Sequence, residues 1–202
     1  MGQRLVVNVV GKSMRLVSIY YHWGAYSTDS MYIAKELVEA LMDQNNPIRD
    51  PRLRVLRYIE STGGGINGGE GSSEWEYITK MYPDETFKKE GISLYDGLVA
   101  FSKEGIEEMQ KDVRGELIIN LDNRTVNNTV FWEEWSGDID AFNESYCYED
   151  DEVLTLEDIP VLNFNPTELP FNEVSDFLEA LENLEGPHFI AGDSDVIYTL
   201  IS

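Results

Sequence analysis

Arg4-Leu5-Val6-Val7-Asn8-Val9-Val10-Gly11-Lys12-Ser13-Met14-Arg15-Leu16-Val17-Ser18-Ile19-Tyr20 is the stretch on which the reading of the fold turns. Two β-rich runs, Arg4–Val10 and Met14–Tyr20, flank Gly11-Lys12-Ser13. Those three residues superficially match the end of a phosphate-binding loop. That motif needs another glycine five positions before Gly11, and Val6 stands there. The alternative is a β-hairpin closed by a short Gly-containing loop, which asks only for the turn residues that are present. The hairpin is therefore the expected start, and antiparallel pairing the expected theme.

After the hairpin, Tyr20-Tyr21-His22-Trp23-Gly24-Ala25-Tyr26-Ser27 is the most distinctive short segment. Ser27, Thr28 or Asp29 can cap a helix running to about Asp43, with Ile33, Leu37, Ala40 and Leu41 on one face. Asn45-Asn46-Pro47 ends it, and Asp50-Pro51 has the form of a cap and first turn for a second helix. Arg52, Arg54 and Arg57 make that segment the one clearly basic patch, expected to serve as internal counter-charge for the acidic region. Thr62-Gly63-Gly64-Gly65-Ile66-Asn67-Gly68-Gly69-Glu70-Gly71 is glycine-rich. A phosphate cradle needs a preceding strand and nearby cations. Here a helix precedes and Glu70, Glu74 and Glu76 follow, so a mobile connection is expected.

Further along, Ser73–Met81 reads as a short helix, Asp96–Ser102 as a strand and Lys103–Lys111 as a brief helix. Glu116–Asp122 and Val126–Trp132 flank Asn123-Arg124-Thr125 as a second hairpin. Ser136–Glu152 reads as an acidic aromatic loop, followed by the proline-punctuated stretch Pro160–Pro170. Asn172 is placed as the cap of a helix with Val174, Phe177, Leu178, Leu181 and Leu184 on one stripe. His188–Ala191 and Val196–Ile201 read as closing strands. This order gives an α+β fold: a largely antiparallel sheet with packed helices and an acidic C-terminal part. Residues 1–128 form the α+β N-terminal part. Residues 129–202 form the acidic, aromatic-rich part packed on it, and a length of 202 residues also suits one single domain.

The charge is distributed very unevenly. From Thr125 to Ser202 there is neither lysine nor arginine, and residues 129–202 carry 19 of the 38 acidic side chains. The formal net charge is −23. A chain this acidic is repelled by nucleic acid and anionic membranes, so basic proteins are its natural partners. The acidic part is interleaved with Phe131, Trp132, Trp135, Phe142, Tyr146 and Tyr148, unlike the aromatic-poor composition of disordered acidic runs. Such residues can build a core, leaving the carboxylates to face outward.

Catalytic chemistry has little to stand on. One cysteine, Cys147, excludes an internal disulfide and suits a reducing compartment. Two histidines, His22 and His188, with that cysteine, are too few for a Cys/His zinc site. The carboxylates around Cys147 disfavour a thiolate. Asp138-x-Asp140 and Asp193-x-Asp195 are fragments of an oxygen cage without the rest of a calcium loop. No metal and no cofactor are expected. No run approaches the roughly 18 apolar residues of a membrane span, and Met1-Gly2-Gln3-Arg4 leads directly into an apolar strand rather than a signal peptide.

Met1-Gly2-Gln3-Arg4-Leu5 and Tyr20-Tyr21-His22-Trp23-Gly24-Ala25-Tyr26 resemble uncharacterised small proteins of phages and prophages of Gram-positive bacteria. The similarity continues through Asp96-Gly97-Leu98-Val99-Ala100-Phe101-Ser102 and Gly105-Ile106. In charge alone, the chain resembles the DNA-mimicking anti-CRISPR and anti-restriction proteins of that world. The resemblance implies a non-enzymatic inhibitor acting in the host bacterial cytoplasm. Its expected partner is a basic nucleic-acid-binding protein, such as a type II CRISPR effector nuclease. The expected contact surface is Glu133, Glu134, Asp138, Asp140, Glu144, Glu149, Asp150, Asp151, Glu152, Glu157 and Asp158. The competing expectations are a small phage hydrolase or transferase with His22 near its site, and an anti-restriction DNA mimic.

Overall fold

The computed structural model describes residues 3–25, 27–111, 113–128, 161–163, 168–183, 188–191 and 197–200. Along the chain these form β1 (Leu5–Gly11), β2 (Met14–Tyr21), α1 (Ser27–Met42), α2 (Pro51–Thr62), β3 (Gly65–Ile66), α3 (Ser73–Met81), β4 (Leu98–Ala100) and α4 (Lys103–Met109). They continue with β5 (Gly115–Asn120), β6 (Thr125–Asn128), β7 (Val161–Asn163), β8 (Glu168–Pro170), a 3-10 turn (Phe171–Glu173), α5 (Val174–Glu182), β9 (His188–Ala191) and β10 (Ile197–Leu200). The fold is α+β. Seven strands form a mixed, mostly antiparallel sheet in the order β3-β4-β2-β1-β5-β6-β8, and β10-β9-β7 form a second, three-stranded sheet.

The opening hairpin is present, with Val7 opposite Ile19 and Val9 opposite Val17 before a bulge puts Val10 opposite Arg15. Its turn residues, Lys12 (φ 53°) and Ser13 (φ 57°), are both left-handed, as a type I′ turn requires. Neither is glycine, so the conformation needs support. The Asp122 carboxylate, on the loop after β5, accepts the backbone N–H of Lys12 and of Ser13, each at 2.9 Å.

Three parallel pairings break the antiparallel theme, two in the seven-stranded sheet and one, β7 with β9, in the second sheet. β1 pairs parallel with β5, Val7 opposite Leu117, and β3 pairs parallel with β4. β1 is thus central, and its alternating residues supply two cores. Leu5, Val7 and Val9 join Val17, Ile19, Leu117 and Ile119 beneath α1, α2 and α5. Val6 joins Ala100, Ile106 and Met109 beneath α4. Burial on both faces explains why β1 reads as a nearly continuous apolar run. Part of the C-terminal portion belongs to the same sheet and larger core: β8 pairs with β6, and Phe177 of α5 is fully buried. Burying a phenylalanine contributes about 2–3 kcal/mol.

Several local expectations are corrected. The buried stripe of α1 is Met31, Ala34, Leu37, Val38 and Leu41 rather than one running through Ile33 and Ala40, because α1 turns its side toward α2 and α5 as well as toward the sheet. The glycine-rich segment is folded into the sheet edge. Gly65 donates to the Gly97 carbonyl at 3.1 Å and Asn67 to that of Val99 at 2.9 Å. Its glycines allow this close approach: a Cβ on Gly64 would lie 2.1 Å from the Gly97 oxygen. Asn172 lies inside the 3-10 turn and caps nothing; Glu173 stands at the N-cap of α5 without a side-chain bond. The expected loop Ser136–Glu152 lies outside the described residues, as does the end of the expected strand Val126–Trp132.

Candidate functional site

The eleven expected contact residues, Glu133, Glu134, Asp138, Asp140, Glu144, Glu149, Asp150, Asp151, Glu152, Glu157 and Asp158, lie outside the described residues. So do Cys147 and the pairs Asp138/Asp140 and Asp193/Asp195. What the structure does describe is an acidic surface on packed helices. α1 exposes Asp29, Glu36 and Glu39, and α5 exposes Asp176, Glu179 and Glu182. The two helices are in contact, and the Tyr32 hydroxyl of α1 donates to the Glu182 carboxylate of α5. That bond favours the neutral phenol and pushes the Tyr32 pKa upward. Against these six carboxylates the pair carries one cation, Lys35, which lies 3.7 Å from Glu39.

This arrangement follows from amphipathic sequence. In α5, Val174, Phe177, Leu178 and Leu181 face the core, which leaves Asp176, Glu179 and Glu182 for solvent. Three residues of helix rise amount to about 4.5 Å, against about 3.4 Å of axis per phosphate of one DNA strand. The carboxylates on α1 were not anticipated as part of a site, since the N-terminal region is slightly basic overall. The available signal was their spacing: Asp29 and Glu36, seven residues apart, fall on one side of a helix.

The basic segment is used up internally. The buried Arg54 guanidinium donates to the carbonyls of Leu41 (2.6 Å), Asp43 (3.0 Å), Asn46 (3.3 Å) and Ile48, closing the end of α1, whose last turn has no basic residue. Arg52 pairs with Asp50 at 2.9 Å, and Arg57 with Glu60 at 2.7 Å and Glu85 at 2.5 Å. Counter-charge is therefore correct in kind but local: these partners lie within α2 and its surroundings rather than in the acidic C-terminal part. Burial works against the Asp50 charge. Hydrogen bonds from the Arg52 guanidinium, the Tyr82 hydroxyl and the Arg52 N–H outweigh it and hold the carboxyl below its ordinary value.

Glu74 is likewise structural. It is buried and accepts from the N–H groups of Phe101 and Ser102 and from the Ser102 hydroxyl. His22 sits in an aromatic setting, edge-on to Trp23 and Tyr95 at centroid distances of 5.8 and 5.5 Å. Its Nδ1 lies 3.3 Å from the Tyr20 hydroxyl. Among the described residues its side chain has no carboxylate, serine or cysteine partner. Trp23 and Tyr95 are 41% and 58% exposed, leaving an aromatic patch at the surface. No group of three or more His, Cys, Asp or Glu side chains among the described residues could hold a metal ion, and among them no helix is long and apolar enough to cross a membrane. Protein-family models, curated proteins and solved structures yield no match to the chain.

Proposed function

We propose that this chain is a phage-encoded inhibitor of a host defence nuclease, acting by binding rather than by catalysis. Its acidic surface occupies the groove in which the target holds nucleic acid. A type II CRISPR effector is the target of choice, because such nucleases hold guide RNA and target DNA in positively charged channels and read a short duplex with arginines. The observation that carries the reading is the pairing of α1 and α5, which presents carboxylates on a framework fixed by a shared core. Carboxylates at near-phosphate spacing can displace the target's counterions as nucleic acid does. The tail without lysine or arginine extends the same sign of charge. The proposed site of action is the host cytoplasm, and the proposed contact surface includes the eleven tail carboxylates named above.

The test is a DNA-cleavage assay with purified effector, the protein being added before guide loading, after it, or after DNA. Inhibition only before loading indicates competition with guide RNA, and inhibition after loading but before DNA indicates duplex mimicry. Reversal of Glu149, Asp150, Asp151 and Glu152 together to lysine is expected to abolish inhibition while circular dichroism stays unchanged. Undiminished cleavage in every order, across effectors from Gram-positive hosts, removes the CRISPR reading and moves restriction enzymes to the front.

A further inference from the structure

A cleft of about 610 Å³ opens where the β1–β2 turn, the loop after β5 and the start of α2 meet. Met14, Leu16 and Leu121 give it an apolar lining, and Lys12, Arg49 and Arg52 bring positive charge to it. The volume lies within the range of small-molecule sites, which combine an apolar lining with a few placed polar groups.

Two carboxylates also line the cleft, Asp50 and Asp122. Set against Lys12, Arg49 and Arg52 they leave the lining with a net formal charge of +1, and their oxygens are already occupied by hydrogen bonds. The Asp122 oxygens each take a backbone N–H of the hairpin turn. Those of Asp50 take the Arg52 N–H, the Arg52 guanidinium and the Tyr82 hydroxyl. Lys12 and Arg49 are exposed and have no ion pair among the described residues. Lys12 is moreover held in the left-handed region at φ 53°, a conformation that costs free energy for a residue with a side chain and recurs at functional positions. Met14 is 58% exposed, and its unbranched thioether can adapt to varied apolar shapes.

We propose that this cleft binds a small organic anion with an apolar body. Lys12 and Arg49 hold the anionic group, and Met14, Leu16 and Leu121 cover the body. The site is independent of the acidic surface, so either reading can fail without the other.

The probe is anilinonaphthalene sulfonate, titrated into the folded full chain and followed by fluorescence and by the methyl NMR signals of Met14, Leu16 and Leu121. Saturable one-to-one binding that shifts these methyls is expected. K12E/R49E should weaken it about tenfold or more, while K12R/R49K stays within about threefold, because the charge is kept. The uncharged parent anilinonaphthalene should bind at least about tenfold more weakly. Absence of saturable binding, shifts confined to other methyls, or equal affinity for the neutral probe overturns the proposal. Should K12E/R49E fail to fold, the neutral-probe comparison on the unaltered chain decides alone.

Discussion

Glu74 and Ser102 form a buried contact between the first turn of α3 and the start of α4, with the Ser102 N–H donating to Glu74 Oε1 at 3.0 Å. The same oxygen accepts the Phe101 N–H at 2.6 Å. Ser102 in turn caps α4 through the Gly105 N–H at 3.0 Å. One carboxylate thus joins two helices to the end of β4. Glu74→Ala would leave buried donors without an acceptor and should cost about 3 kcal/mol, read from the urea midpoint. Glu74→Gln keeps an acceptor and should cost less. Equal stability of Glu74→Ala and the unaltered chain would falsify this account.

At Gly64 the backbones of two segments nearly touch. A Cβ there would meet the Gly97 carbonyl at 2.1 Å and Ile59 at 2.6 Å, so Gly64→Ala should cost about 3 kcal/mol or more. Gly71, with φ +87° and nothing within 4 Å of its Cβ position, is a control for backbone strain alone. Gly71→Ala should cost about 1 kcal/mol. Thermal unfolding of the two variants side by side checks the ranking.

Asp122 supplies a pH dependence. The N–H groups of Ser13 and Lys12 hold its carboxyl below the ordinary value of 3.8. A depressed carboxyl contributes stability that is fully present above the unfolded-state value and lost as pH falls through the folded-state value. Asp122→Asn should therefore lower stability near neutrality, and the difference from the unaltered chain should shrink on acidification below about pH 4. Urea midpoints at several pH values give the comparison; a constant difference across the series would sink the claim.

If the α1–α5 face takes part in partner binding, Asp176→Lys with Glu179→Lys should weaken the complex and flatten its dependence on salt. Both side chains are exposed and the core face of α5 is untouched, so stability should change by less than about 0.5 kcal/mol per site. Binding to the purified effector at several ionic strengths is the measurement. An unchanged salt slope would exclude this face from the contact.

His22→Ala separates the binding reading from the hydrolase or transferase one. Its ring makes edge contacts and a single 3.3 Å approach to Tyr20, so its loss should cost about 1 kcal/mol or less. Inhibition of the effector is expected to survive. Loss of inhibition by a variant that stays folded would point to chemistry at His22.

Local signals determined much of the element list. The Gly11-Lys12-Ser13 turn, the Asp50-Pro51 helix start and the helix Ser73–Met81 stand where the sequence put them, because turn chemistry, caps and apolar periodicity act over a few residues. The acidic imbalance was equally legible, being composition. Long-range pairing was not. Nothing in the glycine-rich segment announces that Gly65-Ile66 will pair with Leu98-Val99, since that depends on two backbones meeting without side chains between them. The carboxylate that secures the first turn comes from Asp122, 109 residues beyond Ser13. The fate of the basic segment was likewise tertiary, because Arg54 finds helix-end carbonyls only once α1 and α2 are folded together. Side-chain identity states which groups can bond; only the packed chain brings the partners within reach.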